Sequence, residues 1–287
     1  MAAEVLTWID PDGTELELYV DWNVNGRFMP PVSYEEGTVP GQPGARFRSV
    51  RHGPRDFVLP VRIADQDPAV LRTLLRSVVR SMDPTRGAGR IRVASPAGDQ
   101  REITCRYVSG LEMPERLGDT SGPGVQWASP VFRAHDPYWA DVADTVDLFG
   151  LGARPSFFPF FPLRLSRSSV FAEASVINGG DVATWPVWQI TGPGSIISAR
   201  NLTTGRSWTL SLALGAGERI YVDTRPGRKT ARLNDPVDGV SVFTAFTAMP
   251  SLWPLAPGNN ALRIEMSSAV SGQSEVQLAR RHLYLSA

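Results

Sequence analysis

Apolar and polar residues alternate over short stretches of this 287-residue chain, and 26 glycines and 24 prolines break the stretches at short intervals. Period-two alternation between turn residues predicts strands, so the pattern points to a mainly β protein. Leu16, Leu18 and Val20 alternate in this way, and 57–63 forms a further strand candidate. One segment departs from the pattern. Over 68–82, Val70, Leu71, Leu74, Leu75, Val78, Val79 and Met82 share one helical face, and Arg72, Arg76 and Arg80 fall on the other. Asp67 supplies an N-cap, Pro68 suits the first turn, and Asp83-Pro84 ends the helix. A hairpin follows, with Ile91 and Val93 on one arm, a turn at 95–99, and Ile103, Cys105 and Tyr107 on the other. Further strands are expected around Leu111 and Met113, and from Val125 through Trp127 to Ala134. A first domain over 1–141 is therefore expected to be a β-sandwich or sheet with one packed helix.

Residues 142–163 look like a connector rich in proline, with Phe157, Phe158, Phe160 and Phe161 expected to dock on a domain surface. From 164 to 287 no helical period is found. Strand candidates fall at 169–177, 186–191, 206–214, 219–223, 229–234, 240–246, 261–266 and 275–285, divided by clusters such as Asn178-Gly-Gly-Asp181. This density of strands fits a C-terminal two-sheet sandwich of the galectin or jelly-roll kind.

Charge removes several function classes. The 29 basic and 29 acidic residues cancel, so no global field draws the chain to nucleic acid or an anionic membrane. The basic residues are almost all arginine, Lys229 being the one lysine, as a G+C-rich genome would give. Arg46, Arg48, Arg51, Arg55 and Arg62 concentrate in one stretch beside a glycine- and proline-rich loop at 37–44. Without a base-stacking motif, a subunit-contact loop is the preferred assignment for Arg46, Arg48, Arg51 and Arg55. The N-terminus lacks a basic region followed by an apolar run, so no secretory signal and no membrane insertion are expected. Cys105, the single cysteine, is expected in the core.

No motif carries a reaction. His52, His135 and His282 have no zinc spacing, and one cysteine cannot make a thiolate cluster. Nucleophile-elbow, phosphate-loop and dinucleotide fingerprints are missing from the sequence. His135-Asp136 beside Arg133 could be drawn as an acid–base site, but a strand-closing Asp136-Pro137 turn explains it more simply. Asp181, Glu218, Asp223 and Asp238 are scattered carboxylates that a glycosidase would have to bring together. Trp185, Trp188, Trp208 and Trp253 could stack on sugars, the alternative being core packing. No catalytic, metal or cofactor residue is assigned.

The stretch from the helix onward resembles the siphovirus distal tail proteins. The residues that carry this are Asp67-Pro-Ala-Val-Leu, the hairpin Arg90-Ile-Arg-Val-Ala-Ser-Pro-Ala-Gly98 with Arg101-Glu-Ile-Thr-Cys-Arg-Tyr107, and Phe132-Arg-Ala-His-Asp-Pro-Tyr-Trp139. Within the last, Phe132, Ala134, Asp136, Pro137, Tyr138 and Trp139 form the most specific element. The second half is similar too, at Val176-Ile-Asn-Gly-Gly-Asp181, Thr184-Trp-Pro-Val187, Asn201-Leu-Thr-Thr-Gly205, Gly217-Glu-Arg-Ile-Tyr-Val-Asp-Thr224 and Leu252-Trp-Pro-Leu-Ala-Pro-Gly-Asn259. The resemblance implies a non-enzymatic ring, typically of six copies, joining the tail tube to the tail-tip hub or baseplate. It implies a galectin-like second domain that anchors fibres or receptor-binding proteins, in a virion part assembled in the host cytoplasm. DNA would cross the lumen only in transit, so lumen-facing residues are expected to be neutral or acidic, since basic ones would hold phosphates. A carbohydrate-binding adhesion module is the alternative function.

Overall fold

A computed structural model describes residues 4–19, 24–113, 121–150, 170–247 and 250–287. Val20 and the cluster Phe157, Phe158, Phe160 and Phe161 therefore lie outside the described residues. Contacts divide the chain into two compact units, Met1–Val142 with Tyr284–Ala287, and Ala143–Leu283.

The main sheet of the first unit runs Glu15–Leu18, Val5–Ile9, Gly89–Ala94, Gln100–Ser109, Val131–Ala134 and Arg55–Val58 in spatial order. Its central hairpin has the expected register, Ile91 facing Ile103 and Gly89 facing Cys105, with the turn closed by Ser95 N–H donating to the Asp99 carbonyl at 2.8 Å. Trp8, Ile91, Val93, Ile103, Cys105, Phe132 and Trp139 are all buried in one cluster. The Trp8 ring crosses so close to Gly89 that a Cβ there would overlap it, which accounts for glycine at the first residue of that strand.

The helix is observed at Pro68–Ser81, and the Asp67 side chain accepts from Ala69 N–H at 2.8 Å. At the other end Trp8 Nε1 donates to the Ser81 carbonyl at 3.2 Å, satisfying an end carbonyl and tying helix to sheet. Leu71, Val78 and Met82 are buried, but Val70 and Val79 remain exposed. The sheet thus covers only part of the apolar band.

Two expected strands are each broken in two. The 57–63 candidate divides into Arg55–Val58 and Val61–Ala64, and the 125–134 candidate into Val125–Ala128 and Val131–Ala134. The pairings Phe57 with Phe132 and Ile63 with Gln126 belong to one antiparallel register, interrupted at Leu59-Pro60 and Ser129-Pro130. Neither proline can donate to a ladder, so the paired chains turn here and enter a second, three-stranded sheet. Leu59 N–H to the Pro130 carbonyl, 3.1 Å, holds the corner. The strand expected at Leu111 and Met113 is not formed, and Leu111 N–H instead donates to the Tyr107 hydroxyl at 3.0 Å.

The second unit is a two-layer sandwich. One sheet has Thr145–Gly150, Glu275–Arg280, Val187–Thr191, Arg219–Asp223, Thr230–Leu233 and Val240–Ser241 in order. The other has Val170–Asn178, Gly258–Ser267, Ser195–Asn201 and Arg206–Leu210. Thr145–Gly150 lies in the stretch that reads as connector, and Ser195–Asn201 is a strand beyond those expected. The 240–246 candidate is only a two-residue strand followed by a short helix, Phe243–Ala245. The long candidate at 275–285 also breaks. Its first strand ends at Arg280, and Tyr284–Ala287 belong to the first unit, where pattern alone keeps the whole C-terminus in the second domain.

Candidate functional site

The stretch beginning at Arg46 is not a loop. Arg46–His52 pairs with Val32–Gly37 as a separate two-stranded ribbon. Tyr34 faces Val50, Glu35 faces Ser49, and after a bulge Glu36 faces Phe47. Alternation then sorts the side chains. Val32, Tyr34, Glu36, Phe47, Val50 and His52 share one face, where the Tyr34 and Phe47 rings meet edge to face at 6.3 Å. Ser33, Glu35, Ser49 and Arg51 share the opposite face, and the Arg48 side chain lies over Gly37. Tyr34 and Phe47 are each 63% exposed and Val50 is 50% exposed. A two-stranded ribbon is marginal by itself in water, and an apolar face of this kind marks a contact surface.

Of the four arginines expected there, Arg46, Arg48 and Arg51 are exposed on the ribbon. Arg55 is not: it is 1% exposed. Its Nη1 donates to the carbonyls of Gly26, Arg27 and Phe28 at 3.1, 3.2 and 2.6 Å, and its Nη2 donates to Leu285 at 2.8 Å. Burial lowers its pKa to about 10, which leaves it charged at neutral pH. Arg55 is thus an internal tie and not a subunit contact, because it is buried and both of its terminal nitrogens donate to carbonyls of its own unit. Arg101 works beside it, stacked 3.7 Å from the Tyr284 ring and donating to the Ser286 carbonyl at 2.8 Å. Nothing in the hydrophobic pattern announces this anchoring of the C-terminus.

The residues of the most specific sequence element are mostly core. Phe132, Ala134 and Trp139 are fully buried and Pro137 is buried. Phe132 packs on Trp8 at 4.9 Å, and Trp139 meets Phe57 at 5.5 Å while donating Nε1–H to the Arg27 carbonyl at 3.0 Å. Asp136 accepts from Tyr138 N–H at 3.4 Å, the local turn expected of Asp-Pro. The Tyr138 hydroxyl hydrogen-bonds His52 Nδ1 at 2.9 Å, at the base of the ribbon. Arg133 forms a two-point ion pair with Asp56 at 2.7 Å.

In the sandwich, Trp188 and Trp253 are fully buried and Trp208 is 2% exposed. Trp188 meets Trp208 at 5.6 Å and Trp253 at 5.5 Å, both edge to face, so the three rings join the two layers. Their faces are occupied by one another and cannot stack on a sugar. Trp185 is half-buried, with Lys229 Nζ 5.7 Å from its ring. Among the described residues no group of three or more His, Cys, Asp or Glu converges as a metal site. No described helix is long and apolar enough to cross a membrane.

A second surface left uncovered by the described residues lies in the first unit. A groove of about 650 Å³ runs beside the helix, floored by Leu75, Val79, Met82, Tyr107 and Leu111 and rimmed by Arg76, Arg80, Asp83 and Glu112.

This helix-bearing sheet unit joined to a two-layer sandwich is a fold found in a phage tail hub protein. The solved structure that carries the statement is the Dit protein (gp 19.1) of phage SPP1, described as a paradigm of the hub adsorption apparatus of phages infecting Gram-positive bacteria. The match has a TM-score of 0.68 at 13% identity and covers 98% of this chain and 99% of that one. Chains of the phage P2 baseplate in its activated conformation, with Ca and with Sr, match at 9% and 11% identity over 97% of this chain and 98% of theirs. Their TM-score of 0.47 is too low to carry a conclusion. No protein-family profile matches the sequence, and no curated protein matches it either.

Proposed function

We propose that the chain is a structural distal tail protein of a long-tailed phage, building a ring of six copies between the tail tube and the tail-tip hub or baseplate. The observation that carries this is one structural likeness running the length of both units, to a protein described as an adsorption hub. The ribbon supports it, because its apolar face is left uncovered by the described residues of a single copy. A closed ring is the economical result of a head-to-tail contact between identical chains.

The partners on this account are further copies of the chain, the tube protein, the hub protein and a fibre or receptor-binding protein held by the sandwich. DNA passes through the lumen in transit, past neutral or acidic side chains, with the arginine face of the ribbon kept out of its path. The role is gripping, not turnover. It calls for assembly in the bacterial cytoplasm and a final place at the virion tail tip. Immunogold microscopy of purified particles tests it. Label confined to the tail end distal to the capsid is expected, and intact infectious particles free of the protein would contradict it.

A further inference from the structure

The ribbon and the groove complement each other, and neither is covered by a partner among the described residues. The groove is apolar at its floor, and Val79 is 47% exposed. Its rim charges are not equally free. Asp83 already accepts from the backbone and hydroxyl of Thr85, and Glu112 accepts from Gly110 N–H at 2.8 Å. The guanidiniums of Arg76 and Arg80 make no ion pair with described residues. Among the described residues, the demand left unmet is for an apolar anchor with a carboxylate beside it. The ribbon face offers this: Tyr34, Phe47 and Val50 surround Glu36, which also has no ion-pair partner among the described residues.

We infer that the apolar face of the ribbon of one copy seats in the helix groove of the next, Phe47 near Val79 and Glu36 against Arg76 and Arg80. The contact is heterologous, since ribbon and groove are different surfaces, so it propagates from copy to copy and forms a ring where the rotation per copy completes a full turn. Burying the aromatic pair removes apolar surface from water, while the carboxylate meets arginines at a site where both are partly desolvated. This assignment rests on the ring proposal above and names the surfaces that form it.

Cysteine cross-linking in the full chain tests it, with buried Cys105 as a silent background thiol. The double variant Phe47→Cys/Val79→Cys, oxidised, is expected to give a covalent ladder ending at the ring size. The single variant Phe47→Cys gives no ladder, nor does Phe47→Cys with Val240→Cys. In parallel, Arg76→Glu/Arg80→Glu should lose association, and adding Glu36→Arg should restore it, which a misfolded variant would not allow. Rings seen by microscopy without a 47–79 bond would overturn this interface and leave the ring standing. Dimers cross-linked through position 47 of both copies, formed by the single variant Phe47→Cys, would also overturn it, by making the contact symmetric. Monomers at every concentration would overturn both the interface and the ring.

Discussion

The guanidinium of Arg55 donates to the carbonyl of Leu285 at 2.8 Å across 230 positions of sequence. One buried side chain thereby fixes both the segment Gly26–Phe28 and the returning C-terminus. Arg55→Ala would leave four carbonyls short of a donor and is expected to cost about 3 kcal/mol or more. Arg55→Lys should recover little, because an ammonium cannot spread over carbonyls that a planar fork spans. Ending the chain after Leu283 should destabilise the first unit in the same direction. Thermal unfolding of each variant measures this, and unchanged transitions would remove the tie from the account.

Trp188 sits where the two layers of the sandwich meet. Trp188→Ala is expected to destabilise the second unit by about 3–5 kcal/mol through cavity formation. Near-ultraviolet circular dichroism should register the loss of the Trp188–Trp208–Trp253 cluster. Trp185→Ala, at a half-buried position, should change stability far less.

Cys105 is buried and its thiol is held well above the ordinary thiol range by desolvation. Thiol reagents should label it only when the first unit opens, so its labelling rate reports that unit separately from the sandwich. Prompt labelling of the native chain would contradict the described core.

Asp56 is held below the usual carboxylate range, first by its hydrogen bond to Arg133, which outweighs the opposing effect of burial, and then by the charges of Arg133 and His135. A carboxylate lowered in the folded state adds stability above its unfolded pKa, about 4, and loses it as pH falls through the folded value. Asp56→Asn should therefore be slightly less stable than the parent at neutral pH, and the gap should close in acid. Salt should narrow it too, because both side chains are near half exposed. Urea titrations across that range give the comparison.

Much of this architecture was legible where local rules act alone. Asp67, Pro68 and Asp83-Pro84 bound the helix, and alternation at Ile91, Val93, Ile103 and Cys105 marks the hairpin and its buried face. What stayed hidden depends on distant partners. Pro60 and Pro130 are visible as breakers, but only their alignment across one ladder turns them into a change of sheet. The ribbon reads as a run of charge because the bulge between Glu35 and Glu36 shifts the pairing, placing Phe47 with Val50 on a face that strict alternation denies them. Arginine composition gives Arg55 and Arg51 the same appearance, though one is buried and the other exposed. The return of Tyr284–Ala287 rests on guanidinium contacts that no periodicity encodes.

Native mass spectrometry of the purified full chain, paired with negative-stain microscopy, addresses self-assembly most directly. A single closed species at six times the chain mass, seen as a ring with a central hole, is the predicted result. A monomer at all accessible concentrations, or an open filament of indefinite length, would contradict a protein built to close on itself.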